Sequence, residues 1–222
     1  MLKRLNRYKE YLFGFLESIY LCFRQLPFYQ AIKLPILVNN NVLLSSLKGK
    51  IIVNDCKTGL VKIGFGNVGI YDKYRCRSIW KNNGTVCFSG GAHLGHGCKV
   101  SCGHDGIMTF GKGFVCTAES EFVCMDNIIF GEDVLISWKT LIMDTDFHKV
   151  IFNKKVKDNH KAIIIGNHVW IGCHSIILKG VKIGNNSIIA AGSVVTSRNF
   201  VDNIIIGGNP AKSIREQVDW QK

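Results

Sequence analysis

The sequence predicts an all-β chain wound as a parallel solenoid of short strands, with a capping segment at each end. Three observations support this. Aliphatic residues recur at every sixth position. Glycine is abundant and proline scarce, 23 against 3 in 222 residues, which suits many tight turns between short extended segments. A long polar, basic stretch then interrupts the repeat. The composition, 47% apolar and 20% charged, excludes an intrinsically disordered chain. Nine cysteines are too sparse for a small disulfide scaffold, and no cleavable signal peptide is visible, so the expected location is the reducing cytoplasm.

Residues 1–50 fall outside the repeat and are expected to form a helical or irregular cap. They are basic, net +6, as are residues 149–222, net +7, while residues 51–148 carry net −1. Basic ends serve a polyphosphate cofactor, an acidic acceptor, a membrane surface, nucleic acid, or solubility alone. Within the cap, residues 11–23, YLFGFLESIYLCF, are too few to span a bilayer. Flanked by Lys3, Arg4, Arg7 and Lys9, they suit a peripheral helix on the inner face of an anionic membrane. A helix packed on a neighbouring subunit explains the same pattern and is preferred.

The repeat is clearest at Ile165, Ile171, Ile177, Ile183, Ile189 and Val195, preceded two positions earlier by Ile163, Val169, Ser175, Val181, Ser187 and Ser193. The same step runs through Phe88, Leu94 and Val100 and through Cys124, Phe130, Ile136 and Ile142, with Val61 and Ile63 at its start. In extended chain, positions i−2 and i face one side, whereas a helix would repeat its apolar face every three or four residues. Each unit is therefore a short strand and a corner. Three units close a coil of about eighteen residues, and stacked coils pair as parallel strands roughly 4.8 Å apart. Five to seven coils are expected over residues 51–212. Residues 213–222 are predicted to end in a short helix, because Ser213 and Glu216 have capping-box spacing.

Between Ile142 and Ile165 the ladder stops, leaving an insertion at 143–161. Loops on rigid scaffolds commonly hold functional groups. Asp144, Asp146 and His148 alternate at its start. In extended chain all three would face one side, with a carboxylate within reach of the imidazole. A histidine held at one nitrogen has the other available as a base.

The ladder resembles that of the hexapeptide-repeat acyltransferases over roughly residues 60–212. The string DTDFH, after Ile136, Ser137 and Trp138, is similar to their sugar O-acetyltransferases of surface-polysaccharide assembly. The resemblance implies a left-handed β-helix, a homotrimer, and acetyl transfer from acetyl-CoA to a sugar hydroxyl. No metal is expected, because Cys98 occupies an inward repeat position and the His/Cys spacing matches no ordered finger pattern. The resemblance makes His148 the catalytic base, with Asp146 or Asp144 orienting it, and Trp138 and Asp144 candidates for the acceptor. The acceptor would be a nucleotide- or lipid-linked precursor of a surface polysaccharide or lipopolysaccharide. Segments VWIGC (169–173) and IAAGSVVT (189–196) are similar to those lining the pantetheine arm, which assigns Trp170, Gly172, Cys173, Ala191, Gly192 and Thr196 to the cofactor. The run GGNPAKSIR (207–215) is similar to the closing motif, which gives Lys212 and Arg215 to the CoA phosphates. Lys149 stands where many relatives carry proline.

Other readings of the residues remain. Cys173 suggests a thiol nucleophile, and His93, His96, Cys98, Cys102 and His104 a zinc site. A solenoid that only scaffolds or binds would have the repeat without the insertion. An amino sugar, a serine-like hydroxyl or an antibiotic would be alternative acceptors. The aromatics are not interleaved with a basic element as nucleic-acid binding requires.

Overall fold

The computed structural model describes residues 14–196 and 198–221. Helices α1 (Phe15–Gln25) and α2 (Phe28–Ala31) precede a three-sided coil. Its first turn is β1 (Ile36–Val38), β2 (Val42–Leu47) and β3 (Lys50–Val53), and its second β4 (Val61–Phe65), β5 (Ser78–Asn82) and β6 (Thr85–Phe88). The third is β7 (Ala92–His96), β8 (Lys99–Cys102) and β9 (Ile107–Phe110), and the fourth β10 (Phe114–Ala118), β11 (Glu121–Cys124) and β12 (Asn127–Phe130). In the fifth, β13 (Leu135–Ile136) and β14 (Leu141–Met143) are separated from β17 (Ile163–Ile165) by a hairpin of β15 (Val150–Phe152) and β16 (Lys155–Lys157). The sixth is β18 (Trp170–Ile171), β19 (Ile176–Leu178) and β20 (Lys182–Ile183), and the seventh β21 (Ile188–Ile189), β22 (Val194–Val195) and β23 (Asn199–Phe200). A last strand, β24 (Ile204–Gly208), folds back on itself as β25 (Ala211–Glu216).

The three strands of each turn belong to three different parallel sheets. The register is that of the ladder: Ile165 pairs with Ile183, Ile171 with Ile189, and Ile177 with Val195. All twelve residues of the downstream ladder are buried. In the second to fourth coils, Phe88, Phe110 and Phe130 stack one coil apart with centroids 5.2 and 5.5 Å from each other. Such offset stacking adds to the stabilisation from area burial alone.

The corners follow from the same geometry. Where the first sheet turns into the second, Gly97, Glu119, Lys139, His174 and Gly192 occupy successive coils, all at positive φ between +50° and +72°. The N–H groups of Glu119, Lys139, His174 and Gly192 donate to carbonyls of the coil before, those of His96, Ala118, Trp138 and Cys173. These corner amides are thereby satisfied without a strand.

Two expectations are corrected. The coil begins at Ile36, inside the segment expected to be cap. The step of six is hidden there because β2 is bulged between Leu44 and Ser46 against β5. One face of helix α1 packs on its own chain. Its stripe Ser18, Leu21, Cys22 and Gln25 is buried, Val38 N–H donates to Ser18 Oγ at 2.8 Å, and Cys22 Sγ donates to Ile36 O. The helix thus covers the otherwise open edge of β1. Its outer residues Leu16, Tyr20 and Phe23 are exposed, and Lys3, Arg4, Arg7 and Lys9 lie outside the described residues. Finally, residues 213–222 form no helix among the described residues. The chain from Ala211 to Glu216 pairs antiparallel with β24, because the hydrogen-bonding edge of β24 outweighs one local capping signal.

Candidate active site

Two segments leave the regular coil, both at corners. Residues 66–77 depart between β4 and β5, at the corner between the first and second sheets. Residues 144–162 depart between β14 and β17, at the corner between the second and third.

The second excursion is a fastened arm. Lys161 N–H donates to Asp144 O at 3.0 Å, Asp146 N–H to Asn159 O at 2.8 Å, and Thr145 bridges His160. Lys179 Nζ lies 2.6 Å from Asp146 Oδ2 and donates to Asp158 O at 2.6 Å, tying both limbs to the sixth coil. Beyond this base, Phe147, Val150, Ile151, Phe152 and Val156 are exposed apolar side chains.

His148 stands at the root of the arm, just past a tight turn. Phe147 has φ +58°, and His148 N–H donates to Asp146 O at 2.6 Å, a γ-turn arrangement. The imidazole is exposed and makes no side-chain hydrogen bond among the described residues.

The left-handed turn also breaks the alternation expected of Asp144, Asp146 and His148. Asp144 is fully buried. Its two carboxylate oxygens accept from Met125 N–H at 2.8 Å and Asp126 N–H at 2.9 Å. It staples the fourth coil to the fifth, so it neither orients His148 nor faces an acceptor. Asp146 is exposed, but its carboxylate holds Lys179 and not the imidazole.

The residues expected at the cofactor fall into three places. Cys173, Ala191 and Gly192 share the first corner, where Gly192 N–H donates to Cys173 O at 2.9 Å. Trp138 belongs to the same corner one coil earlier, its carbonyl accepting from His174 N–H at 3.1 Å. At Gly172 an added Cβ would lie 2.6 Å from Ala191 N, so this glycine serves coil packing and not the approach of a ligand.

The outward face of the first sheet carries the second group. Trp170 pairs with Ile188, Ile188 with Ile205, and Ile205 with Arg215. The register shift between Ile205 and Ile206 is a bulge, which brings Lys212, opposite Gly207, onto the same face as Arg215. Both cations are exposed. Thr196 lies apart, after β22 at the next corner.

The C-terminal tail is clasped to this face. His168 is stacked on Trp220 at 4.3 Å between centroids. Its Nδ1 is 2.8 Å from Asp133 Oδ2 and its Nε2 is 2.9 Å from Trp220 O. Two acceptors require two N–H groups, so Asp133 first and then the Trp220 carbonyl hold the imidazole pKa above its usual value.

All nine cysteines are free; Cys22, Cys98, Cys102, Cys116 and Cys124 are buried fillers of the core. Among the described residues no three metal-ligating side chains converge, and His93 instead places Nε2 3.2 Å from Phe65 O. No helix there is long and apolar enough to cross a membrane. The sequence reading missed the first excursion. Its signal was the gap between Ile63 and Trp80, longer than the ladder allows, filled by the basic run YDKYRCR.

A coil of seven three-stranded turns, capped at one end and interrupted by one histidine-bearing arm, defines a class: the parallel β-helix proteins built on hexapeptide repeats. Residues 162–197 match the family described as bacterial transferase hexapeptide (six repeats). The chain is 35% identical over 116 residues to galactoside O-acetyltransferase of Escherichia coli K12, covering 50% of this chain and 55% of that one. It is 28% identical over 200 residues to an uncharacterized 24.8 kDa protein in the cps region of Klebsiella pneumoniae, covering 90% and 87%. The crystal structure of the polySia specific acetyltransferase NeuO superposes with a TM-score of 0.53 at 25% identity, covering 83% of this chain and 74% of that one. The chain spans about half the length of the galactoside acetyltransferases it matches. Its repeats resemble those of the hexapeptide-repeat acyltransferases, and its coil is a left-handed parallel β-helix.

Proposed function

We propose that the protein is an O-acetyltransferase that moves an acetyl group from acetyl-CoA to a sugar hydroxyl in surface-polysaccharide or lipopolysaccharide biosynthesis. The observation that carries the reading is His148, an exposed imidazole with no side-chain hydrogen bond among the described residues, held at the root of a rigid arm on a hexapeptide solenoid. As general base, His148 takes the proton of the acceptor hydroxyl. The hydroxyl oxygen bonds to the acetyl carbon as the carbon–sulfur bond breaks, and the imidazolium returns its proton to the departing thiolate. A backbone N–H stabilises the developing oxyanion. Asp146 serves as a positioning residue, holding the root of the arm through Lys179.

The donor groove in this reading is the first corner beside Cys173, Ala191 and Gly192, with Trp138 on the acceptor side and Trp170, Lys212 and Arg215 on the adjoining face. Cations sharing one face suit the phosphates of CoA. The arm leaves from a different corner, a full sheet away, so His148 acts on the groove of a neighbour in a homotrimer. The exposed apolar tip, Ile151 and Phe152 above all, supports such packing. Acetyl-CoA and unpaired cysteines suit the cytoplasm, at or near the membrane face where precursors are assembled.

The test is release of free CoA thiol from acetyl-CoA with a panel of sugars and glycan precursors. Turnover with at least one hydroxyl acceptor is expected. His148→Ala should keep the fold by circular dichroism and lose about 10²–10⁴-fold in kcat; near-normal turnover in that variant would remove the imidazole from the mechanism.

A further inference from the structure

The excursion at residues 66–77 is a built wall. Asn41 Nδ2 donates to Lys73 O at 2.9 Å and to Cys76 O at 3.3 Å. Val68 N–H donates to His96 Nε2 at 3.3 Å, and the N–H groups of Tyr71 and Arg75 close turns onto Val68 O and Asp72 O. Against this wall lies a cavity of about 510 Å³, lined among others by Arg75, Arg77, Lys99, Lys139, Glu119 and Glu121.

The carboxylates in the cavity are engaged. Glu121 holds Lys99 at 2.6 Å. Glu119 accepts the Cys76 thiol at 2.6 Å through one oxygen, and its other oxygen stands 3.9 Å from Lys139 Nζ. That ammonium also sits over the Tyr71 ring at 4.9 Å. The bond to Glu119 raises the Cys76 pKa to about 11, leaving the thiol a neutral donor. The arginines are different. Arg75 meets Asp72 at 3.7 Å with its side chain almost wholly exposed, and Arg77 is exposed with no ion pair or side-chain hydrogen bond among the described residues. Uncompensated positive charge therefore collects on the arginine side of the cavity.

The location connects this charge to the chemistry. Glu119 and Lys139 belong to the same corner column as His174 and Gly192. Lys139 and His174 are one coil apart, about 4.8 Å, so the cavity lies on the same column of corners as Cys173, where the proposed donor groove is placed.

We propose that this cavity is the anion subsite for the acceptor, in which Arg77, aided by Arg75, binds a carboxylate or phosphate of the glycan being acetylated and so selects the sugar presented. The inference rests on the acetyl-transfer reading. A guanidinium fork matches either group with paired, charge-assisted hydrogen bonds. The engaged Glu119 and Glu121 keep the anion on the arginine side by like-charge repulsion.

The experiment is equilibrium binding of three probes to the full chain, Arg77→Gln and the double variant Arg75→Gln/Arg77→Gln. The probes are a glucuronate-containing oligosaccharide, a UDP-linked neutral sugar, and a neutral oligosaccharide of equal length. At least one anionic probe should bind tighter than the neutral one, and added salt should weaken it. Arg77→Gln should cost about tenfold or more, the worth of one charge-assisted hydrogen bond. In turnover the same factor should appear in the acceptor KM, with kcat and the acetyl-CoA KM unchanged. Preference for the uronate assigns a carboxylate, and preference for the sugar nucleotide a phosphate. Anionic probes that bind no better than the neutral one, or that bind both variants as they bind wild type, overturn the inference. Transfer to a neutral sugar without anion binding rejects the subsite and leaves acetyl transfer standing. Anion binding through Arg77 in a protein that transfers no acetyl group does the reverse.

Discussion

Replacing Asp144 by alanine separates a structural carboxylate from a catalytic one. The side chain is fully buried, and its two oxygens accept from Met125 N–H and Asp126 N–H at 2.8 and 2.9 Å. Hydrogen bonds to a charged group contribute about 1.5–3 kcal/mol each, so Asp144→Ala should cost about 3–6 kcal/mol and leave two backbone amides without acceptors. For a chain of this size roughly 2–4 °C of Tm follows each kcal/mol, so a fall on the order of 10 °C or more is expected in a thermal scan. Asp144→Asn retains one acceptor oxygen but turns an N–H₂ group towards the second amide, so it should lose at least half as much. Assayed well below the new Tm, both variants should keep kcat within a few-fold of wild type. A drop of two orders of magnitude in kcat with an unchanged Tm would refute this reasoning and restore Asp144 as the partner of His148.

Other parts of the molecule give further expected outcomes. Phe110, fully buried between Phe88 and Phe130, should cost about 3–5 kcal/mol as Phe110→Ala, read as a lowered urea midpoint. An effect below about 1 kcal/mol would mean that the aromatic column does not support the upper coils. The His168 clasp should be pH-dependent. Its pKa is raised in the folded chain, so its contribution is complete below the unfolded value of about 6.5 and is lost as pH rises through the folded value. The Tm advantage of wild type over His168→Gln should therefore be largest in mild acid and shrink towards alkaline pH. A gap constant with pH would dissociate the clasp from the imidazolium.

The downstream coils were legible because each residue of the ladder has one task. An inward Ile or Val in each six-residue unit stacks on its counterpart one coil away, and nothing else competes for its position. The first coil was not legible, since the bulge in β2 shifts its inward residues off the step. The tail was misread because Ser213 and Glu216 report only a local preference, while the open edge of β24 belongs to residues read from elsewhere in the chain. The same distinction divides the site. His148 stands out by lying where the ladder breaks. The roles of Asp144 and Asp146 depend on where Phe147 turns the chain, and a left-handed phenylalanine has no signature in sequence. Arg77 escaped notice because its significance is the lack of an ion pair or side-chain hydrogen bond among the described residues, which only coordinates reveal.

The position of the arm bears on how the proposed site would be built. The arm with His148 leaves at the corner between the second and third sheets, and Cys173, Ala191 and Gly192 of the proposed groove lie at the corner between the first and second. One whole sheet of strands, including β14 and β19, stands between them, so the proposed reading takes imidazole and groove from different chains. Two individually inactive variants test this directly. His148→Ala has an intact groove and no base. Ala191→Trp has an intact base, and a bulky ring at an exposed corner position fills its groove. Co-assembled oligomers should recover part of the wild-type turnover, because the groove of the first variant meets the arm of the second. If the site lies within one chain, every chain in the mixture carries a lesion and no activity returns. Recovery absent from mixtures shown by size and affinity tag to contain both variants would place base and groove in the same subunit.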